Sequence, residues 1–296
     1  LAGGTVNSHE SCIGYYTGST GHVTVDGAGS TWTNSGDLYV GGNATGGTGE
    51  LTVADGGTVE VGETLRIWET GTVNLRDGGT IIADCLDNTS GGTFNLAGGT
   101  LSAPTITNHG TLAWSGGALA TSVLAMDDGA VFDVTCSPTL TADVEVTGGT
   151  LTVGHGDVLT LAGACGATED DATLVKNGPG TLVIAGPQDH APDSVFQMAG
   201  GTVEMHTDAS GTGLIDDAHL SILVEDAELR FGVNQHLDTL DIRGEGLVRL
   251  TGANVVVVRN LVMNGVPLGP TTLTPEPATL ALLAAGVAVV LRRRRG

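Results

Sequence analysis

The chain has 296 residues, of which 48 are glycine and only 3% are aromatic, so its core cannot be built on large rings and is left to Val, Leu, Ile, Ala and Thr. Acidic side chains outnumber basic ones 33 to 11, a net charge of −22. Such a surface repels nucleic acid and anionic lipid, and it attracts divalent cations.

The opening Leu1-Ala2-Gly3-Gly4-Thr5 returns as Leu96-Ala97-Gly98-Gly99-Thr100. It has no charged start followed by an apolar run, so the expectation is a chain that begins in mid-repeat, with a signal peptide and earlier repeats upstream. The repeating unit is Gly-Gly-Thr or Gly-Thr followed by a short alternating strand. It occurs as GGTVEV from Gly56, GGTIIA from Gly78, GGTFNLAGGTLSA from Gly91, GTLAW from Gly110, GGTLTV from Gly148, GTLVIAG from Gly180 and GGTVEM from Gly200. Principal repeats lie about 20 residues apart, at Gly57, Gly79 and Gly99, and again at Gly180 and Gly201. β-Branched residues between glycines predict strands. A rung this short cannot bury its apolar side alone, so rungs must stack on a shared core. The expected fold is all-β, a parallel β-solenoid. Asp26-Gly27, Asp55-Gly56, Asp77-Gly78 and Asp128-Gly129 supply its corners. A β-sandwich array is the alternative, but it predicts no register between neighbouring repeats.

Residues 27–62, GAGSTWTNSGDLYVGGNATGGTGELTVADGGTVEVG, are similar to the repeat shared by autotransporter passengers and PEP-CTERM proteins. Residues 174–186, LVKNGPGTLVIAG, resemble the autotransporter-associated β-strand repeat, with Lys176-Asn177-Gly178-Pro179-Gly180 in its lysine-and-glycine turn. The resemblance covers about half the chain and implies a right-handed parallel β-helix displayed outside the cell. The organisation expected is a solenoid of one repeat type over residues 1–165, continuing over 166–270 with the second type. Residues 271–296 form a linker and tail. From Leu220 the strands lengthen and become more apolar, as the terminal part of the helix, before leading into the linker.

Parallel β-helices also include polysaccharide lyases and glycoside hydrolases, which need clustered carboxylates. Asp127-Asp128, Glu169-Asp170-Asp171, Asp216-Asp217 and Glu225-Asp226 with Glu228 are the candidates. Neighbours in a strand point to opposite faces, and most of these flank turns, so they read as solvated corner charges. Lys176, the only lysine, reads as part of its turn. Four cysteines, Cys12, Cys85, Cys136 and Cys165, lack CxxC spacing and allow one or two bridges or none. The histidines show no metal-binding spacing, and the glycine pairs precede no helix that would hold a phosphate. Asn43-Ala44-Thr45 and Asn88-Thr89-Ser90 match the glycosylation pattern by chance. No residue is assigned a catalytic or metal-ligand role, and no cofactor is expected.

The chain closes with Pro275-Glu276-Pro277, an uncharged apolar run over residues 278–291, and Arg292, Arg293, Arg294 and Arg295. As a helix the run is about 21 Å long, short against a bilayer core of about 30 Å. Snorkelling arginines narrow the difference and mark the cytoplasmic end. These three parts in this order resemble the PEP-CTERM sorting signal. That signal is recognised by exosortase, a membrane protease-transpeptidase. The resemblance implies export, transient membrane anchoring by helix 278–291, and processing of the tail. Pro275, Glu276 and Pro277 are then the sorting motif, and the four arginines the membrane stop. The body is expected to be a non-enzymatic structural or adhesive protein of the surface or matrix. Its partners are exosortase, the membrane, extracellular polysaccharide and divalent cations, not nucleic acid. A β-helical lyase or glycoside hydrolase is the alternative.

Overall fold

The computed structural model describes residues 3–42 and 46–274, and the backbone of 281–283. The chain winds into an all-β solenoid of about ten turns. Each regular turn lays down three short strands separated by corners, which gives the body three faces. At about 4.8 Å per turn the stack is roughly 50 Å long.

The first face begins with Thr5–Ser8 and Thr31–Asn34 and continues through residues 58–61, 80–83 and 100–102. Thr58, Thr80 and Thr100 stand in register, as do Val59, Ile81 and Leu101. The Gly-Gly-Thr spacing is therefore one turn. Thr181 and Thr202 repeat the relation farther along. The glycine before each threonine is sterically required. A Cβ on Gly79 would run into the Val53 carbonyl of the preceding turn. The corner Asp55-Gly56 takes positive φ at both residues, 51° and 89°, a conformation that aspartate tolerates and glycine adopts freely.

Within each strand, alternate side chains point inward. On the third face Leu51, Val73, Phe94, Leu112, Phe132 and Leu151 stack turn upon turn, all buried. Each such side chain contributes roughly 1.5–3 kcal/mol relative to exposure. The third face runs without a break across Gly166, because Gly148–Val153 pairs with Thr173–Asn177. The second face does break. After Cys165–Ala167 it continues only as a bridge to Gln188, and it returns where residues 235–237 pair with 256–258.

The C-terminal end departs from the expected run into a linker. Val266–Leu273 folds back antiparallel on Val256–Met263. Asn264 and Gly265, with φ of 48° and 76°, make the reversal, the preferred chemistry of a two-residue hairpin. Pro267 and Pro270 lie on this outermost strand, where a missing N–H is tolerated. Of the expected helix 278–291, only Ala281–Leu283 is described, as a strand antiparallel to Leu247–Leu250. The rest of that segment, with Pro275, Glu276, Pro277 and residues 292–295, lies outside the described residues, as does Asn43-Ala44-Thr45. Among the described residues no helix is long and apolar enough to cross a membrane.

Candidate functional site

Lys176 is the penultimate residue of the strand Thr173–Asn177, at an inward position in register with Leu151 and Met198. It is fully buried. Its ammonium donates to the carbonyls of Asn177 and Gly178 at 2.8 Å and of Gly200 at 3.1 Å. Burial pushes its pKa down to about 8, so at neutral pH the charged form prevails with its three donors satisfied. It clamps two successive corners together, and with no exposed surface it offers nothing to a substrate.

The carboxylate pairs singled out by sequence do not converge. Asp127 pairs with His109 at 2.7 Å and accepts a hydrogen bond from Thr147 at 2.8 Å, while Asp128 is exposed beside it. Glu169, Asp170 and Asp171 are all exposed on one corner. Asp216 and Asp217 lie in a 3-10 turn, Ile215–Asp217. Asp226 occupies a corner at φ 52° and accepts from the Glu245 amide at 2.8 Å.

Glu228 belongs to a different group, built by register across the first face. Outward positions there bring together Glu204, Arg230 and Arg249, with Glu228 beside them. Arg230 reaches Glu204 at 2.8 Å and grips both oxygens of Glu228 at 2.9 and 3.1 Å. Arg249 contacts Glu228 at 2.6 Å, and His206 lies 3.7 Å from Glu204. The Arg230 guanidinium holds Glu228 below its ordinary range, and the two glutamates raise Arg230. A glycosidase acid needs the opposite shift, a carboxyl kept protonated near neutral pH. The group is therefore an ion-pair ladder in charge balance. Sequence reasoning missed it because Glu204, Arg230 and Arg249 follow one another at 26 and 19 residues and meet only once the register is known.

A groove follows the break in the second face, lined by Asp143, Glu145, Gly166, Asp189, His190 and His219. Two glutamines close the structure beneath it. Gln188 donates to the carbonyl and hydroxyl of Thr207 at 2.9 and 3.0 Å. Gln235 donates to the same carbonyl at 2.6 Å and accepts from the Ala209 amide at 3.0 Å. Burial drives the His190 pKa down to about 4, which keeps the ring neutral. Asp143 is engaged by the Ala164 amide at 2.9 Å. Among the described residues no three His, Cys, Asp or Glu side chains are placed to hold a metal ion. All four cysteines are unbridged. Cys165 is buried, and its thiol is pushed up to about 12.

The third exposed feature is aromatic. Tyr15 and Tyr16 stand at the corner between the second and third faces, 51% and 73% exposed, with ring centroids 4.9 Å apart and nearly perpendicular. Trp68 stands two turns on at the same corner. Arg66 lies over its ring at 5.4 Å and is held by Asp87 at 2.7 Å. On the adjoining face Tyr39 donates to Asp37 at 2.7 Å.

No curated protein and no solved structure matches the chain. Residues 273–295 match the family model of the PEP-CTERM protein-sorting motif. The match covers the tail, includes Pro275-Glu276-Pro277, and leaves the solenoid body unassigned. A β-solenoid thus carries at its C-terminus a PEP-CTERM motif, which implies exosortase-dependent processing and export to the cell envelope or surface.

Proposed function

We propose that this protein is a non-enzymatic structural or adhesive element of the bacterial surface or extracellular matrix. The sorting motif behind an acidic solenoid carries the reading. The carboxylates singled out by sequence support it: they lie at corners or in ion pairs, and the cluster of Glu204 and Glu228 with Arg230 and Arg249 holds Glu228 ionised. The apolar run over residues 278–291 anchors the precursor in the membrane until exosortase acts, with the four arginines on the cytoplasmic side. The repeats belong with the autotransporter-associated type, and the solenoid is right-handed; the Gly-Thr unit and the lysine turn support this. The acidic faces meet divalent cations and extracellular polysaccharide.

The test is replacement of Pro275, Glu276 and Pro277 by alanine in a host that carries exosortase. The expected product is an unprocessed precursor in the membrane fraction. A variant that matures and reaches the surface like its parent would sink the sorting reading. Release of reducing ends or unsaturated uronates from envelope polysaccharide by the purified chain would sink the non-enzymatic one.

A further inference from the structure

We propose that Asn177-Gly178 is a self-modification site: the Gly178 nitrogen closes on the Asn177 carboxamide, ammonia leaves, and water opens the resulting succinimide to aspartate and isoaspartate. The buried Lys176 ammonium promotes the ring closure.

The placement of the reacting atoms is the first observation. Asn177 is the last residue of the strand Thr173–Asn177, and it is exposed at the corner. The Gly178 amide donates to the Asn177 Oδ1 at 2.8 Å. The carboxamide therefore lies against the nitrogen that must attack it, so the two ends of the five-membered ring already stand side by side. Gly178 has φ of 75°, a conformation that glycine adopts freely. A Cβ there would lie 2.5 Å from the Val153 carbonyl oxygen. The corner thus demands glycine, which leaves the nitrogen without a side chain beside it.

The second observation is a cation on the same peptide group. The Lys176 ammonium donates to the Asn177 carbonyl at 2.8 Å. That carbonyl and the Gly178 nitrogen belong to one amide, joined by resonance. When hydroxide takes the proton from the nitrogen, negative charge spreads onto the carbonyl oxygen. A charge already fixed at that oxygen stabilises the anion without reorganising. Lys176 is fixed in this way, because it is fully buried and also donates to the carbonyls of Gly178 and Gly200.

The steps balance with water and hydroxide alone. The deprotonated Gly178 nitrogen forms a bond to the Asn177 side-chain carbonyl carbon. The bond from that carbon to Nδ2 breaks, and Nδ2 takes a proton from water and leaves as ammonia. Water then adds to one carbonyl of the succinimide and breaks its bond to the ring nitrogen. Opening at the side-chain carbonyl gives aspartate, and opening at the backbone carbonyl gives isoaspartate.

The chain carries its own control. Asn-Gly occurs a second time, at Asn264-Gly265. That pair is also exposed, in the reversal of the terminal hairpin. Asn264 has φ of 48°, and its Oδ1 accepts from the Gly244 amide at 3.2 Å, which ties the carboxamide across the stack. The only lysine of the chain stands at the other pair.

The experiment incubates the folded 296-residue chain in mildly alkaline buffer made with heavy-oxygen water, and then maps its peptides by mass spectrometry. The label marks aspartate and isoaspartate formed during incubation and not during digestion. We expect labelled product at residue 177 about tenfold faster than at residue 264, the rate equivalent of one charge-assisted hydrogen bond. In urea the two rates should converge, because the placement and the ammonium are both lost. In a folded Lys176→Met variant the rate at 177 should fall toward that at 264. Equal rates in the folded parent overturn the proposal, as does slower reaction at 177. A preference that survives urea also overturns it, because local sequence would then decide. A folded Lys176→Met that keeps the full preference overturns the role of the ammonium. Should that variant fail to fold, the parent in buffer and in urea still decides.

Discussion

Residues 80–146 and residues 173–258 build the same three-faced core with different amounts of regular strand. In the first region every face gains a strand per turn, and the buried polar side chains are amides that stack. Asn88 donates to Asn108 at 2.8 Å and to the Thr111 carbonyl at 3.0 Å, and Asn108 donates to the Val131 carbonyl at 3.1 Å. Their register neighbours, Ile67 and Met126, are apolar. In the second region loops interrupt the second face, and Lys176, Gln188 and Gln235 enter the interior. Buried carbonyls and amides must be paired wherever they arise. In the first region short amides pair with one another and with single carbonyls of the next turn, whereas in the second Lys176 caps the corners beside an intact third-face ladder and Gln188 and Gln235 pair the loops where the second-face strand is missing. Irregular turns thus depend on single residues in a way that regular turns do not.

The largest test of that contrast is Lys176→Met. Methionine suits the register between Leu151 and Met198, yet it leaves three carbonyls without their donor. We expect a loss of about 3 kcal/mol in denaturant unfolding. A neutral outcome would mean that the lysine fills space and nothing more. Asn108→Leu should cost about 2 kcal/mol, because Asn88 loses its partner inside the core. Adding Asn88→Leu should cost less than the sum of the singles, since the pair is then replaced as a unit between apolar neighbours. Strict additivity would show that the two amides act independently.

The pH dependence separates the regions more gently. The Lys176 pKa is lowered on folding from 10.5 to about 8. Between those values the unfolded chain binds the proton that the folded chain has released. This residue therefore adds stability as pH rises from about 8 to about 10.5. Wild type and Lys176→Met should diverge in melting temperature across that window, with the wild type gaining relative to the variant. Parallel curves would contradict the burial of an ionisable group at this point. The smallest effect is expected outside the core. Arg249→Gln should cost below about 1 kcal/mol, an effect that high salt removes, because its side chain is 41% exposed. A larger, salt-insensitive loss would make the first-face ladder a structural element equal to Lys176.

The architecture was legible where composition forces geometry. Gly57, Gly79 and Gly99 mark one turn each, and their threonines stack as the spacing requires. Which face a unit occupies was not legible. GGTVEV and GGTIIA lie on the first face, while GGTFNL and GGTLTV lie on the third, because a strand period of two has no memory of the corner before it. Asn88-Thr89-Ser90 reads as a chance match to the glycosylation pattern, which leaves its inward role unseen: Leu86 and Asn88 both face inward, as their alternation allows. Asn264-Gly265 carries a hairpin signal that the sequence analysis passed over. The Glu204–Arg230–Arg249 ladder and the aromatic corner depend on stacking between turns, which no local window contains.

The most direct measurement of the account is native-state hydrogen exchange resolved along the chain. Slow exchange should run unbroken through the third face across Gly166, from Gly148–Val153 into Thr173–Asn177 and Val195–Met198. Faster exchange should be confined to the loops that interrupt the second face, residues 186–193 and 206–219. Lys176→Met should spread that fast exchange to the neighbouring turns, whereas Arg249→Gln should not. Protection that ends at Gly166 and resumes as a separate block would contradict a single continuous solenoid.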